Sequence, residues 1–189
     1  MENVSFTITK GESVGIIGKT GCGKTTIADL ILRCYNVDRG TLFIDGTEVN
    51  DVTIDSLRSF CAYVPQDNFL FSDTIANNIA FASENDDFEK VKRSAELADI
   101  DGNIQEFAKG YDTILGERGV TVSGGQKQRI SIARALMKDS SVLILDDAVS
   151  AVDTDTERKI LTNLKETRQG KTTILTASYG LARYPWTFR

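Results

Sequence analysis

A glycine-rich run that also carries lysines and threonines, residues 18–26, is the segment with the clearest chemistry. It begins G-K-T-G-C-G-K-T and fits the pattern G-x-x-x-x-G-K-[ST]. Glycines let backbone N–H groups turn inward around phosphate oxygens, and a following helix adds the favourable end of its dipole. Lys24 would reach the β and γ phosphates of a nucleotide, and the Thr25 hydroxyl would ligate Mg²⁺. The residues predicted to surround the phosphates are Gly18, Lys19, Thr20, Gly21, Cys22, Gly23, Lys24, Thr25 and Thr26.

A carboxylate at the end of a buried strand is the second candidate. The apolar run of residues 142–145 leads directly into Asp146. Such a run is typical of a buried parallel strand, which delivers its last side chain to the carboxyl edge of the sheet. An aspartate at that edge holds Mg²⁺ in nucleotide hydrolases with this kind of phosphate loop, so Asp146 is predicted to be a metal ligand together with Thr25.

A third segment, residues 122–126, could bind an anion at the start of a helix. It reads V-S-G-G-Q, and Ser123 is predicted to cap a helix that opens with Gly124 and Gly125. The two glycines would let an anion approach the backbone closely. A plain helix cap would use the same serine, so this segment alone does not separate binding from structure.

These three motifs resemble, in their order, those of the ATP-binding cassette (ABC) family, and the resemblance extends over about residues 4–177. It implies that the chain binds ATP with Mg²⁺. In this family the signature segment of one subunit covers the γ-phosphate held by the phosphate loop of the other. The resemblance therefore implies a dimer with a second ABC ATPase domain. The residues that would act in the partner's site are Ser123, Gly124, Gly125 and Gln126.

Further segments match other motifs of the family. Gln66, in Y-V-P-Q-D, resembles the Q-loop glutamine, which ligates Mg²⁺ and responds to a membrane partner. Asp153, which ends S-A-V-D, resembles the D-loop aspartate that meets the opposite subunit. Residues 113–119 resemble the loop of multidrug and lipid exporters that contacts the coupling helices of a transmembrane domain. Residues 69–71 would add an apolar groove that binds such a helix. The alternative is that these residues lie in the hydrophobic core.

Two positions depart from the family pattern. Asp147 stands where the family usually has the glutamate that acts as general base, and Ser178 stands where it has a histidine. Aspartate is one methylene shorter, and a displacement of about 1 Å costs on the order of 100-fold in rate. A serine hydroxyl can still donate a hydrogen bond. The predicted catalytic residues are thus Asp147, Gln66 and Ser178, and the pattern resembles the degenerate-site subunit of a heterodimeric exporter.

Composition excludes several classes of function. The net charge is −5 and the pI is near 4.9, which argues against a nucleic-acid partner, whose phosphates require a basic face. The sequence has no histidine, which excludes histidine-based catalysis and most zinc sites. Its apolar runs are far shorter than the roughly 20 residues of a membrane-spanning helix. The chain is therefore predicted to lie at the cytoplasmic face of the cell membrane by binding a partner that spans the membrane.

The elements that must position these residues predict an α/β fold. A strand over residues 13–17 runs into the phosphate loop, and a helical pattern follows over residues 24–34. The fold class predicted is a P-loop NTPase (RecA-like), with a mainly parallel sheet core, a small antiparallel β part and an inserted helical subdomain. Further strands are predicted within 40–46, where an Asp-Gly turn ends the strand, over 61–64, 142–145 and 173–177, and helices within 73–109, over 124–138 and over 154–167.

The whole chain is predicted to be one ABC ATPase domain. Residues 1–66 and 134–178 form the predicted nucleotide-binding core, and about 67–133 form the helical subdomain with the signature. Residues 179–189 are an atypical tail, for which we hypothesise a shifted reading frame. The aromatic residue that stacks on adenine in the family would lie before Met1, and the family continues after the position of Ser178 with a run and further strands that this chain lacks. We therefore expect the chain to be truncated at both ends.

Three functions remain open at this point. The first is an ATPase subunit, or a fragment of one, that powers an exporter through nucleotide-dependent dimerisation. The second is a soluble cassette ATPase acting on chromosomes or ribosomes, against which the acidic pI argues. The third is a non-catalytic nucleotide-binding module, which Asp147 and Ser178 favour. Trapping of ATP without turnover would separate the third from the first.

Overall fold

The computed structural model describes residues 4–81, 83, 87–116, 119–178 and 187–188. Contacts between residues divide the chain into two units. The core unit comprises Met1–Tyr63, Ser140–Asp147 and Gly170–Arg189. The helical unit comprises Val64–Asp139 and Ala148–Gln169.

A five-stranded sheet in the order β4-β5-β6-β1-β7 forms the centre of the core unit. Its middle strands are β1 (Ser13–Ile17), β5 (Val142–Asp146) and β6 (Thr172–Ala177), and β6 pairs in parallel with both of the others. Its outer strands are β4 (Cys61–Val64) and the short β7 (Thr187–Phe188), which pairs in parallel with β1. The mainly parallel sheet that the sequence predicted is therefore confirmed.

Residues of the core unit that are predicted to bind nucleotide and metal lie at the carboxyl edge of this sheet. Ile17, the last residue of β1, pairs with Ala177 of β6, and Asp146, the last residue of β5, pairs with Thr176. Because parallel strands end on the same side, the segments that follow β1, β5 and β6 leave the sheet together. This register places the phosphate loop, Asp146 and Ser178 at one edge.

Helix α1 (Lys24–Ile31) follows the phosphate loop and packs against β5 and β6. The sequence predicted that it continues to residue 34, and this is wrong, because Arg33 has a left-handed backbone with φ 49° that ends the helix. Beside it, β2 (Phe43–Ile44) and β3 (Thr47–Glu48) pair antiparallel around the predicted Asp-Gly turn. A short helix α2 (Ile54–Ser59), capped by Thr53, was not predicted.

The helical unit contains five α-helices among its described residues. They are α3 (Ile75–Ala80), α4 (Phe88–Leu97), α5 (Asp101–Gln105), α6 (Gly124–Met137) and α7 (Thr154–Thr167). Helix α6 packs against both α3 and α4, and α4 also contacts α5 and α7. The sequence grouped residues 154–167 with the core, whereas their contacts group them with these helices. The predicted domain boundaries stay a prediction.

Candidate functional site

The phosphate loop, residues 18–23, connects β1 to α1 in the core unit. Gly23 is the N-cap of α1 and has φ +101°, a left-handed backbone that other residues rarely adopt. Within the described chain no side chain caps α1, and its first turn carries no acidic residue. The first N–H groups of α1 and the positive end of its dipole therefore meet no protein anion there, and a phosphate would satisfy both.

Lys24 folds its ammonium group back over this loop. Its Nζ donates to the carbonyl oxygens of Gly18, at 2.9 Å, and Lys19, at 3.2 Å. The side chain is buried. An ammonium has three N–H donors, so these two contacts leave a third for a phosphate oxygen. Thr25, the next residue, is exposed at the same end of α1.

Asp146 is held at the end of β5 by two hydroxyl groups. Its carboxylate is 1% exposed. The hydroxyl of Thr176 donates to Asp146 Oδ1 at 2.5 Å, and the hydroxyl of Tyr63 donates to Oδ2 at 3.3 Å. Burial raises the pKa of Tyr63, and the nearby Asp146 raises it further, so Tyr63 keeps its proton and remains a donor.

Asp147 and Ser178 leave the same edge of the sheet. Asp147 has a left-handed backbone with φ 50°, and its N–H contacts both Oγ1, at 3.1 Å, and the carbonyl oxygen, at 3.2 Å, of Thr176. Ser178 follows Ala177, whose carbonyl oxygen accepts a hydrogen bond from the Gly18 amide at 3.2 Å. Asp147 directly follows Asp146 in the chain, and Ser178 directly follows a residue that contacts the phosphate loop.

The donors at this edge fit Mg²⁺ bound together with a nucleotide. Across the described ranges no three acidic or cysteine side chains cluster as a metal site of their own. Mg²⁺ is usually bound through oxygen ligands, with one or two carboxylates and the phosphates of the substrate. The Asp146 carboxylate and the Thr25 hydroxyl are such oxygen donors in the core unit, whereas Gln66 belongs to the helical unit.

The signature residues open helix α6 in the helical unit. Ser123 is the N-cap, and its hydroxyl accepts from the Gln126 amide at 3.2 Å, while Gln126 Oε1 accepts from the Ser123 amide at 2.9 Å. This reciprocal pair is a capping box. Ser123 therefore caps the helix, which is the structural role that the sequence left open. Its hydroxyl hydrogen can still be donated to another acceptor.

A cavity of about 420 Å³ lies beside this helix start. An added Cβ on Gly125 would lie 3.0 Å from the Ala151 carbonyl oxygen, so a side chain there would require the two segments to move slightly apart. Burial lowers the pKa of Arg129, whose guanidinium donates to the Asp99 carbonyl oxygen. The cavity is lined by Ser123, Gly124, Gly125, Arg129, Ala151, Val152 and Asp153.

The signature and the predicted D-loop are tied together within the helical unit. The buried Gln128 accepts a hydrogen bond from the Ala151 amide through Oε1 at 3.0 Å. Asp153 is the N-cap of α7, and its Oδ1 accepts from the amides of Asp155 and Thr156, which lower the pKa of Asp153. The predicted partner-facing aspartate therefore also has a structural task.

Gln66 and an aromatic platform occupy another part of the helical unit. Gln66 is exposed in the loop after β4. The platform consists of Phe69, Phe71 and Phe81 with Arg134, whose guanidinium lies 5.3 Å from the Phe71 ring centre and 5.7 Å from the Phe81 ring centre. Phe69 and Phe81 are 66% and 64% exposed, so these rings form a surface rather than the interior.

The loop before the signature is pinned beside α3. The Leu115 amide donates to the Asp73 carbonyl oxygen at 2.9 Å, and the Ile75 amide donates to the Thr113 carbonyl oxygen at 3.0 Å. Ile114 is 51% exposed. Glu117 and Arg118 of the predicted exporter loop lie outside the described residues.

Sequence reasoning missed the residues that support the site. Tyr63 and Thr176 contact Asp146 from β4 and β6, and Thr176 is one of three threonines in β6, so the sequence did not single it out. Phe81 and Arg134 complete the aromatic platform, but they lie 53 positions apart in the sequence and no local pattern joins them. Contacts between side chains of different helices and strands could be found only from the structure.

Comparisons with known proteins find relatives among ABC transporters. A family profile described as "ABC transporter" matches residues 1–150. The Escherichia coli "Multidrug resistance-like ATP-binding protein MdlA" is 48% identical over 94% of this chain and 30% of its own length. The "Probable multidrug resistance ABC transporter ATP-binding/permease protein YheI" of Bacillus subtilis is 45% identical over 93% of this chain and 30% of its own.

A lipid flippase and a solved structure are also similar. The "ATP-dependent lipid A-core flippase" of Photorhabdus laumondii is 46% identical over 94% of this chain and 31% of its own length. A bacterial Atm1-family ABC exporter with ATP bound superposes with a TM-score of 0.88 and 42% identity, over 93% of this chain and 31% of that one. The chain thus spans about 30% of the length of the relatives it matches. Within the residues described here, no helix has the length and apolar character to cross a bilayer.

Proposed function

The chain belongs to the ABC transporter family, and we propose that it is the ATP-binding and ATP-hydrolysing part of a multidrug- or lipid-type exporter. One observation carries the proposal: the phosphate loop, Asp146 and Asp147 leave the same edge of one parallel sheet. That arrangement delivers cationic, metal-binding and basic groups to a single point, as phosphoryl transfer to water requires.

Binding of ATP depends first on the phosphate loop. The uncapped start of α1 and the Lys24 ammonium bind the phosphates, and the ammonium uses the N–H that its contacts with the Gly18 and Lys19 carbonyl oxygens leave over. Mg²⁺, when bound, neutralises charge on the phosphate oxygens. Thr25, Asp146 and Gln66 are the residues that would hold it.

Hydrolysis depends on Asp147 and Ser178. The Asp147 carboxylate accepts a proton from the water that attacks the γ-phosphorus, and ADP leaves with the electrons of the broken P–O bond. The Ser178 hydroxyl donates a hydrogen bond to a γ-phosphate oxygen. Aspartate reaches less far than glutamate, so this chain's own site is slow.

The signature cavity serves a second ATPase domain. Its glycine-lined helix start and the Arg129 guanidinium are suited to the γ-phosphate of a nucleotide held by a partner. Dimerisation would close each nucleotide between the phosphate loop of one chain and the signature of the other. Because the signature is intact while Asp147 and Ser178 are altered, we place this chain in a heterodimer whose partner supplies the usual glutamate and histidine.

The aromatic platform is the proposed contact with a transmembrane domain. Phe69 and Phe81 expose apolar surface, and Ile114 does so on the exporter-type loop. An amphipathic helix binds such a surface through its own apolar face. The relatives' names include permease and flippase functions, and the present chain covers only 30% or 31% of them. The rest of such a protein would place this domain at the cytoplasmic face of the membrane.

The alternative is a module that binds ATP without hydrolysing it. Its support is the same pair, Asp147 and Ser178, since both replace groups that act on the γ-phosphate. Under this alternative ATP binding would still close the dimer, and turnover would occur only at the partner's site.

The test is hydrolysis of MgATP by the chain alone and mixed with cassettes that carry the usual glutamate and histidine. We expect weak turnover alone and a rise only in the mixture. In the chain alone, Asp147→Glu combined with Ser178→His should raise turnover on the order of 100-fold, because the base then reaches the water. ATP turnover is measured as phosphate release.

Asp147→Asn is the matched control, because asparagine keeps the left-handed backbone and removes the base. It should abolish the remaining turnover and leave ATP binding intact. If the wild-type chain alone hydrolyses ATP at the full rate of an intact transporter, the asymmetric heterodimer is excluded. If Asp147→Asn does not change the slow turnover, the alternative without catalysis is favoured.

A further inference from the structure

The Asp146 carboxylate is fixed on both of its oxygens before any metal is bound. Thr176 contacts Oδ1 at 2.5 Å, and Tyr63 contacts Oδ2 at 3.3 Å. Asp146 and Thr176 are each 1% exposed, so water does not compete for the contact between them. The two hydroxyls come from the strands on either side of β5, which sets the plane of the carboxylate from both sides.

The direction of each hydrogen bond around Thr176 is determined by its neighbours. An ionised carboxylate can only accept, and a backbone N–H can only donate. The Thr176 hydroxyl therefore gives its hydrogen to Asp146 Oδ1 and accepts from the Asp147 N–H at 3.1 Å. One hydroxyl thus joins the side chain of Asp146 to the backbone of Asp147.

The backbone of Asp147 needs such support. A residue other than glycine with φ 50° is in a sparsely populated region, which the surrounding structure has to stabilise. The Asp147 amide has two acceptors on Thr176, the hydroxyl and the carbonyl oxygen. The direction in which the Asp147 side chain leaves the sheet therefore depends on Thr176.

We propose that Thr176 is a positioning residue that couples metal binding at Asp146 to the orientation of Asp147, with Tyr63 holding the second carboxylate oxygen. The inference rests on the proposed function, in which Asp146 ligates Mg²⁺. Hydrogen-bond partners of a metal ligand fix its orientation, and their loss typically costs about 10- to 100-fold in metal affinity or activity. Thr176 would act on both groups at once.

The decisive variant is Thr176→Val, which keeps the shape of the side chain and removes the hydroxyl. We expect the Mg²⁺ concentration at half-saturation, measured by titrating Mg²⁺ into the chain with ATP, to rise about 10-fold. ATP affinity in EDTA should stay unchanged, because the phosphate loop is untouched. Thr176→Ser retains the hydroxyl and should restore the wild-type midpoint.

Thr172→Val is the matched control on the same strand. Thr172 Oγ1 also accepts from a backbone amide, that of Gly11, at 3.1 Å. It lies four residues earlier, roughly 13 Å along the strand, at 3.3 Å per residue. Loss of this hydroxyl should leave the Mg²⁺ midpoint unchanged. A rise in both valine variants would show a general effect on the sheet and overturn the proposal.

Tyr63→Phe tests the second hydroxyl. Its bond to Oδ2 is longer than that of Thr176 to Oδ1, so the Mg²⁺ midpoint should rise by less than in Thr176→Val. A larger effect at Tyr63 than at Thr176 would contradict the central role given to Thr176.

Amide hydrogen exchange at Asp147, followed by NMR, needs no nucleotide and separates the two proposals. Exchange should be faster in Thr176→Val than in the wild type and Thr176→Ser, because one acceptor is lost. If the wild-type chain binds no ATP, the proposed function fails, while the exchange result still decides whether Thr176 orients Asp147. Unchanged exchange in Thr176→Val overturns the coupling.

Discussion

Asp147 illustrates at the scale of one residue why the shorter acid stands at this turn. Its φ of 50° lies in the left-handed region, which aspartate adopts more readily than most residues. A glutamate at the same turn would reach further towards a bound phosphate and would meet more backbone strain. Reach and conformational ease therefore oppose each other at this position.

Tyr111 gives a prediction for alkaline stability. Burial raises its pKa first, and the hydrogen bond to Asp101 Oδ1 at 2.6 Å and the charges of Asp101 and Glu96 raise it further, from the ordinary 10.0. Above pH 10 the unfolded chain loses this proton and the folded chain keeps it. The free energy of unfolding should therefore fall as pH rises above 10, and Tyr111→Phe should make that fall less steep.

Denaturant unfolding at a series of alkaline pH values measures this slope. Asp101→Asn is the companion variant, because it removes the charge and leaves the burial of Tyr111. It should give a slope between those of the wild type and Tyr111→Phe. Equal slopes in all three proteins would contradict the prediction.

At the scale of elements, Ser123 caps helix α6 and also belongs to the surface proposed to bind a partner's nucleotide. Ser123→Ala removes the acceptor for the Gln126 amide and should lower the free energy of unfolding by about 1 kcal/mol. The measurement is denaturant unfolding of the chain. We also expect weaker ATP-dependent dimerisation, because the serine hydroxyl is lost from the signature cavity.

Ser123→Asp separates the two roles. Aspartate caps helices as well as serine does, so stability should be retained. Its negative charge should repel the γ-phosphate of the partner's nucleotide and abolish ATP-dependent dimerisation. A stable Ser123→Asp variant that still dimerises would show that the signature cavity does not meet phosphate.

The sequence predicted those elements whose ends carry a chemical signal. The strand before the phosphate loop, the strand over 61–64 and the helix over 154–167 are found at the predicted bounds, because glycine, proline and a capping aspartate mark them. The end of α1 was missed, since Arg33 turns the chain without a glycine. The supports of Asp146 were missed because Tyr63 and Thr176 meet it only through strand order.

The site residues divide in the same way. The strand, loop and helix around the phosphate loop and the capped helix of the signature could be predicted, because each is a continuous run with a local backbone shape. The binding roles of both segments stay predictions. The roles of Gln66 and Asp153 came from resemblance and stay predictions. Residues that act through contacts between distant elements, such as Gln128 with Ala151, leave no pattern along the chain.

At the scale of the whole molecule, the aromatic platform predicts a defect in coupling without a defect in folding. Phe69 is 66% exposed, so Phe69→Ala should change the free energy of unfolding by less than about 0.5 kcal/mol. In the assembled transporter the same variant should lose stimulation of ATPase activity by the transported compound. Denaturant unfolding and phosphate release measure the two effects.

Phe88→Ala is a closely matched control. Phe88 is also exposed, at 49%, and its ring meets Tyr111 edge-on at 5.2 Å, as the Phe69 ring meets Phe71 at 5.2 Å. It lies outside the platform, so stimulation should remain. Equal losses in the two variants would remove the platform as the contact with a membrane domain.

The tie between Gln128 and Ala151 has a genetic consequence. It joins the two segments of this chain that would act on a partner's nucleotide, whereas the phosphate loop acts on the chain's own. In the proposed heterodimer each assembly contains one copy of this chain, so a copy damaged at Lys24 and a copy damaged at Gly125 never share an assembly. Alleles of these two kinds should therefore fail to complement each other when expressed together, and complementation would show that the chain pairs with itself.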